Sequence, residues 1–261
     1  MGGIQKKSKM FKIKKISNPA LKNPILIEGL PGIGNVGKIC VDFMIDNLEA
    51  KKFMEIYSDS FPSSVFVNEY NLVDLPKIEL FYKKSKNNDL ILLSGDIQPT
   101  EEHACYELCN LILDILEKFK GKEIITLGGI GLSKIPEDPK IYCTANNKEI
   151  IKKYKSPLIN SNIFGVVGPI IGVTGLLVGL AEEKKMSAIT LLAQTFAHPT
   201  YIGIKGSREI LKVLDKKLKL SLDLNSLDKE IKNIEKEIML KTQKIITFKK
   251  KDKKQETSYI G

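Results

Sequence analysis

The run Leu26-Ile27-Glu28-Gly29-Leu30-Pro31-Gly32-Ile33-Gly34-Asn35-Val36-Gly37-Lys38 limits what this chain can become more than any other stretch. An apolar segment breaks into a glycine-rich turn, after which Val36, Ile39, Cys40, Phe43, Met44 and Leu48 recur at the spacing of one helix face. The pattern predicts a buried strand over 25–28, a tight corner and a helix over 35–48. Residues 53–57 read as the next strand, so the opening is a β-α-β unit.

The rest of the chain continues in this manner. Residues 11–16 alternate well enough for an edge strand, with lysines that discourage edge pairing. Short strands over 65–67, 71–73 and 78–82 form a meander or hairpin insertion. Buried strands follow over 90–93, 123–127 and 188–192, the second running into a Gly128-Gly129-Ile130-Gly131 turn, and a further strand lies over 141–144. Helices are expected from an N-cap at Thr100 to Phe119, over 147–154 and over 204–218. Repeated strand-helix alternation implies a three-layer α/β fold, a mixed and mostly parallel sheet with helices on both faces. At 261 residues and 43% hydrophobic, one large domain with an appendage fits best. The division reads 1–24, a basic segment with the edge strand; 25–224, the α/β core; 225–248, a helix whose Leu227, Ile231, Ile234, Ile238 and Ile245 give a coiled-coil seam; and 249–261, a basic flexible tail.

The net charge of +10 suggests nucleic acid until its distribution is considered. Much of the excess sits at the two ends, from Lys6 to Lys15 and from Lys249 to Lys254. The chain has no Trp, and only Phe11 and Phe248 interleave with those runs, so a stacking platform for single strands is poorly supplied. A solvated tail is the simpler reading. Cys40, Cys105, Cys109 and Cys143 lack C-x-x-C spacing and no apolar leader precedes them, which points to a reducing, cytoplasmic setting. Cys105 and Cys109 share a helix face near His103, but two further metal ligands are missing, and no metal is expected.

Residues 163–181 carry no charge and contain Gly-x-x-x-Gly spacings, enough by length to span a bilayer. Pro169 and the clustered glycines instead split the segment into a strand or turn and a helix starting near Pro169 or Ile170. A buried helix is preferred to a membrane span.

Gly32-x-Gly34-x-x-Gly37 follows a strand and opens a helix, and is followed after another strand's worth of chain by the acidic Glu55 and Asp59, the layout of a dinucleotide fingerprint. A nucleotide-binding enzyme using Gly32, Gly34, Gly37 and Glu55 is therefore the rival reading. Ile39 stands where a phosphate-loop protein needs Ser or Thr for magnesium, which removes the triphosphatase version. Asp96 is the best-placed acid, at a parallel strand's carboxyl end, yet neither it nor His103 or His198 is tied to a nucleophile. No catalytic constellation and no cofactor are expected, and the glycines read first as a structural corner.

Four ordered motifs carry a resemblance: Leu26 through Gly37, Gly95-Asp96-Ile97-Gln98-Pro99, Thr126-Leu127-Gly128-Gly129, and Gly172 through Ala181. In that order they are similar to the archaeal proteasome assembly chaperone family, over about 25–224 and more loosely beyond. The resemblance implies a three-layer fold like that of the nucleoside phosphorylases, a homo-oligomer, no enzymatic activity, and binding to proteasome α-subunits. Proteasome activators of several kinds end in a hydrophobic residue, a tyrosine and one last residue, whose carboxylate pairs with a lysine. Here the end is Ser258-Tyr259-Ile260-Gly261, with the tyrosine one place early. Tyr259, Ile260 and Gly261 are the candidate partner-binding residues, for docking rather than gate opening. Ala193-Gln194-Thr195 departs from the family's Gly-Glu-Thr, so no role carries over to it.

Overall fold

The computed structural model describes residues 10–160 and 162–229. Its centre is a four-strand parallel run. Ile25–Glu28 (β2) lies between Leu90–Gly95 (β7) and Glu123–Leu132 (β8), with Ser187–Phe196 (β11) beyond β8. Antiparallel strands extend it on one side, Ile78–Lys83 (β6), Lys51–Ser58 (β3) and the edge strand Phe11–Lys15 (β1). On the other side Ile141–Ala145 (β9) runs antiparallel to β11 and carries the two-residue Ile159–Asn160 (β10). The nine-stranded order is β1-β3-β6-β7-β2-β8-β11-β9-β10, the mixed α/β sheet expected, with its parallel strands at the buried centre.

Helices cover both faces. Val36–Asn47 (α1) and Ile204–Leu218 (α5) pack together against β8 and β11, while Glu102–Lys118 (α2) and Val173–Leu180 (α4) form the opposite layer. Strand alternation assigns the side chains: Leu26, Ile91, Leu93, Ile124 and Ala188 share a core with Leu108, Ile112, Val173 and Leu177 of α2 and α4. Lys148–Tyr154 (α3), capped by Asn147 Oδ1 on the Ile150 amide at 3.0 Å, packs on β9 and β11. The short strands Phe66–Val67 (β4) and Val73–Asp74 (β5) form a separate ribbon between β3 and β6.

Several local expectations shift. The opening β-α-β unit is not a neighbouring pair: β3 runs in the direction of β2, but β6 and β7 lie between them. Strand β8 passes straight through the Gly128–Gly131 turn expected from sequence, because β11 pairs with it residue by residue as far as Leu132. Helix α2 starts at Glu102 with Glu101, not Thr100, in the cap position. Residues 163–181 fold as a turn, an irregular stretch and the eight-residue α4, and among the described residues no helix is long and apolar enough to cross a membrane. The chain divides between Leu222 and Asp223. Residues 225–229 are helical; the remaining seam positions and the segment 249–261 lie outside the described residues.

Candidate functional site

The four motifs meet at the carboxyl ends of the parallel strands, around a cleft of about 1340 Å³. Gly32 and Ile33 form one lip, Gln98, Pro99 and Tyr106 another, and the segment ending in Gly172 a third, over a floor of Leu127 and Gly128. Gln98 ties the lips together. Its amide donates to the Pro31 carbonyl at 2.8 Å, and its Oε1 accepts from the Val173 amide at 3.2 Å. Gly172, at φ +83°, turns the chain so that this distant glutamine satisfies an orphan N–H at the start of α4. That is why the helix begins three residues later than the local pattern predicts.

The glycine corner is consumed by packing. A Cβ on Gly29 would lie 2.1 Å from the Gly37 carbonyl oxygen, and one on Gly37 2.2 Å from the Leu127 carbonyl oxygen, so β2, α1 and β8 touch through bare backbone. Gly34, at φ +62°, lies against the Thr195 hydroxyl, and its carbonyl accepts from the Gly203 amide at 2.8 Å. Of Gly32, Gly34 and Gly37, only Gly32 has nothing within 4 Å of an added Cβ. Glu55 is not brought to them. It sits on β3, separated from β2 by β6 and β7, in an ion-pair cluster with Lys14 at 2.9 Å and Lys52 at 3.3 Å. The fingerprint read from the sequence is thus not assembled in space: its glycines hold a corner and its acid serves a sheet edge.

The electrostatics at Glu55 are those of a structural salt bridge. Burial raises its carboxyl, but the Lys14 ammonium, the Tyr57 hydroxyl and Lys52 outweigh this and lower it to about 2. A carboxylate depressed in the folded state contributes stability that is complete above its unfolded value, near 4.5, and is lost as pH falls through about 2. Glu55→Gln is accordingly expected to flatten the acid limb of a melting-temperature profile between pH 4.5 and 2, and an unchanged limb would count against the cluster.

Of the other candidates Asp96 and His198 are also engaged, while His103 lies exposed in the first turn of α2. Asp96 accepts from the Lys77 amide at 3.2 Å, and His198 stacks on Phe196 with ring centroids 5.6 Å apart. Cys105 and Cys109 are buried in α2, which pushes both thiols up, and no group of three metal-ligating side chains occurs among the described residues. Tyr259, Ile260 and Gly261 lie outside the described residues.

Two features escape sequence reasoning. In Ala193-Gln194-Thr195 the Gln194 side chain accepts from the Lys140 amide at 3.1 Å, fixing the loop before β9, while Thr195 fills the glycine corner. The second is Glu28, fully buried at the end of β2. Its Oε1 accepts from the Leu30 amide at 3.0 Å, and its Oε2 has no hydrogen-bond partner among the described residues. Burial raises this carboxyl to about 7; the Leu30 amide, the nearby Thr174 and the Leu127 amide pull the other way without offsetting it.

With this geometry in place, comparison with known proteins decides the family. The model of the PAC2 family matches residues 26–240. The chain belongs to the PAC2 family. Pyrococcus furiosus PbaB, an archaeal proteasome activator, is 33% identical and superposes with a TM-score of 0.82, covering 90% of this chain and 99% of that one. Pyrococcus furiosus PbaA, an archaeal homolog of proteasome-assembly chaperone, shares the fold at a TM-score of 0.75 and 24% identity, over 97% of this chain and 100% of that one. An uncharacterized protein of Methanocaldococcus jannaschii is 29% identical over 232 residues, 87% of this chain and 88% of its own length. Homologues in the PAC2 family are thus proteasome activators and assembly-chaperone relatives. Neither description is that of an enzyme, in line with the expectation drawn from the sequence.

Proposed function

We propose that this PAC2 protein is a homo-oligomeric, cytoplasmic assembly chaperone or activator that docks on the α-subunits of the 20S proteasome through Tyr259, Ile260 and Gly261. The observation that carries the reading is the 33% identity to the proteasome activator PbaB across nearly the whole of both chains. The engagement of Gly34, Gly37 and Glu55 in internal contacts supports it over the nucleotide-enzyme alternative. Several copies of the terminal segment on one oligomer would add weak contacts into useful avidity.

The test is a pull-down of proteasome α-subunits with the full chain and with a chain lacking residues 257–261. Removing the segment is expected to weaken capture by at least about tenfold, the loss of a multivalent contact. Equal capture would overturn the docking mode, and no capture by the full chain would overturn the partner.

A further inference from the structure

Strand β8 outlasts its neighbour. β2 ends at Glu28 opposite Thr126, while β8 stays paired with β11 as far as Leu132. Beyond Thr126 it is therefore a strand with one edge partnered and one edge open. The Leu127 amide is turned toward the Glu28 carboxyl, and its carbonyl oxygen faces Gly37, both on the side of β2. In a parallel ladder a residue's N–H and C=O address the same neighbour and successive residues alternate, so Gly129 and Gly131 present theirs on the side that β2 has vacated. Among the described residues, no hydrogen bond beyond the β11 pairing reaches Gly129, Ile130 or Gly131. The open edge faces the cleft, which Gly128, Gly129, Ile130 and Gly131 all line. The nearby irregular stretch does not close it, since the Val166 and Val167 amides both turn back to the Ile163 carbonyl, at 3.0 and 3.3 Å. The outer edges of the sheet are guarded, β1 by Lys12, Lys14 and Lys15 and β10 by its two-residue length. This inner edge has no charge, and the glycines flanking Ile130 leave it unshielded.

We propose that the open edge of β8 at Gly129 and Gly131 binds an extended peptide of a partner protein as an added strand, and that this peptide is free of acidic side chains. The main chain supplies the attraction: a strand laid at about 4.8 Å from β8 pairs with N–H and C=O groups that are otherwise left to water. The charge of the cleft supplies the selection. Its charged lining residues are Glu102 and Glu183, and none of the chain's 41 lysines and arginines is among them. An acidic peptide meets like charge there with no cation to offset it, whereas a neutral or basic one does not. Side chains of an added strand alternate between the two faces of the sheet, where Ile33, leading into α1, and Leu176, in α4, give each set an apolar contact. The site uses none of Tyr259, Ile260 and Gly261, so it stands or falls separately from the docking proposed above.

The test follows amide exchange in β8 of the full chain by NMR, alone and with a capped hexapeptide of alternating valine and lysine. Without peptide, the Gly129 and Gly131 amides are expected to exchange at least about tenfold faster than that of Ile130, which is paired with β11. Equal protection of all three overturns the open edge. With the peptide at millimolar concentration both glycine amides are expected to slow by at least about tenfold. A fully N-methylated copy, which cannot donate to a strand, and a copy with glutamate in place of lysine are expected to leave them unchanged. Glycine amides unmoved by the first peptide, or slowed as much by either copy, overturn the proposal. On the protein side, Gly131→Pro removes the N–H while Gly131→Ala adds the same β-carbon and keeps it. In variants shown to be folded by circular dichroism, the proline chain is expected to bind the peptide at least about tenfold more weakly than the alanine chain, the loss of one hydrogen bond, and equal affinities overturn the added strand.

Discussion

Gly37→Ala is expected to destabilise the fold by about 3 kcal/mol or more, whereas Gly32→Ala, five residues earlier, leaves stability within about 0.5 kcal/mol. The added methyl at Gly37 meets the Leu127 carbonyl oxygen at 2.2 Å, and this obstacle is backbone in the middle of β8, not the end of a flexible side chain. Relief requires moving α1 away from the sheet, which also disturbs its contact with Gly29. Helix propensity opposes the effect, since alanine is favoured over glycine within a helix by about 1 kcal/mol, and the steric term is the larger. In a chain of this size the net loss corresponds to a melting temperature lower by roughly 6–12 °C. Gly32 has an extended backbone and open space around it, so its alanine variant costs little. A loop built for a pyrophosphate would also need its third glycine for close helix–sheet packing, so the two readings part at Gly32, which in such a loop would not tolerate a methyl either. A stable Gly37→Ala together with a nucleotide-binding defect in Gly32→Ala would sink the structural reading of this corner.

What could be read from the sequence follows the range of the interactions involved. Strand β2 and helices α1 and α5 were legible because their apolar periodicity is local and strong, and α5 runs over the very residues its pattern predicts. The start of α4 was not, since the group that satisfies its first N–H is Gln98, 75 residues away. The same holds for the passage of β8 through its glycines, which is imposed by pairing with β11. At the candidate site the motifs pointed to the right corner of the molecule, and of the two readings they allowed, a packing corner and a nucleotide loop, the contacts support the first. Letter spacing records where glycines are needed. It does not distinguish a phosphate from the Leu127 carbonyl as the group that comes close. Glu55 illustrates the remainder: its distance along the chain matched a ribose-binding acid, but the insertion of β6 and β7 beside β2 carried it to the far side of the sheet.

Glu28 gives the second large effect, one with a distinctive dependence on pH. Its folded-state value of about 7 lies above the ordinary 4.5, so below pH 4.5 the folded and unfolded chains both hold this proton. Between 4.5 and 7 the unfolded chain releases it first, binds fewer protons than the folded one, and stability falls as pH rises. Above 7 the loss is complete, at about 3 kcal/mol on the scale of 1.36 kcal/mol per pH unit. Glu28→Gln cannot ionise, so its curve should lack this slope. The glutamine keeps an oxygen for the Leu30 amide and places its NH₂ where Oε2 has no partner, at a cost of about 1–3 kcal/mol. That cost applies at every pH, whereas the ionisation penalty applies only above neutrality. The variant is therefore expected to be less stable than the native chain near pH 4.5 and to draw level with it or overtake it by pH 8–9, as measured by denaturant unfolding across that range. Parallel curves would show that the buried carboxyl ionises without penalty, which its full burial beneath α2 and α4 argues against.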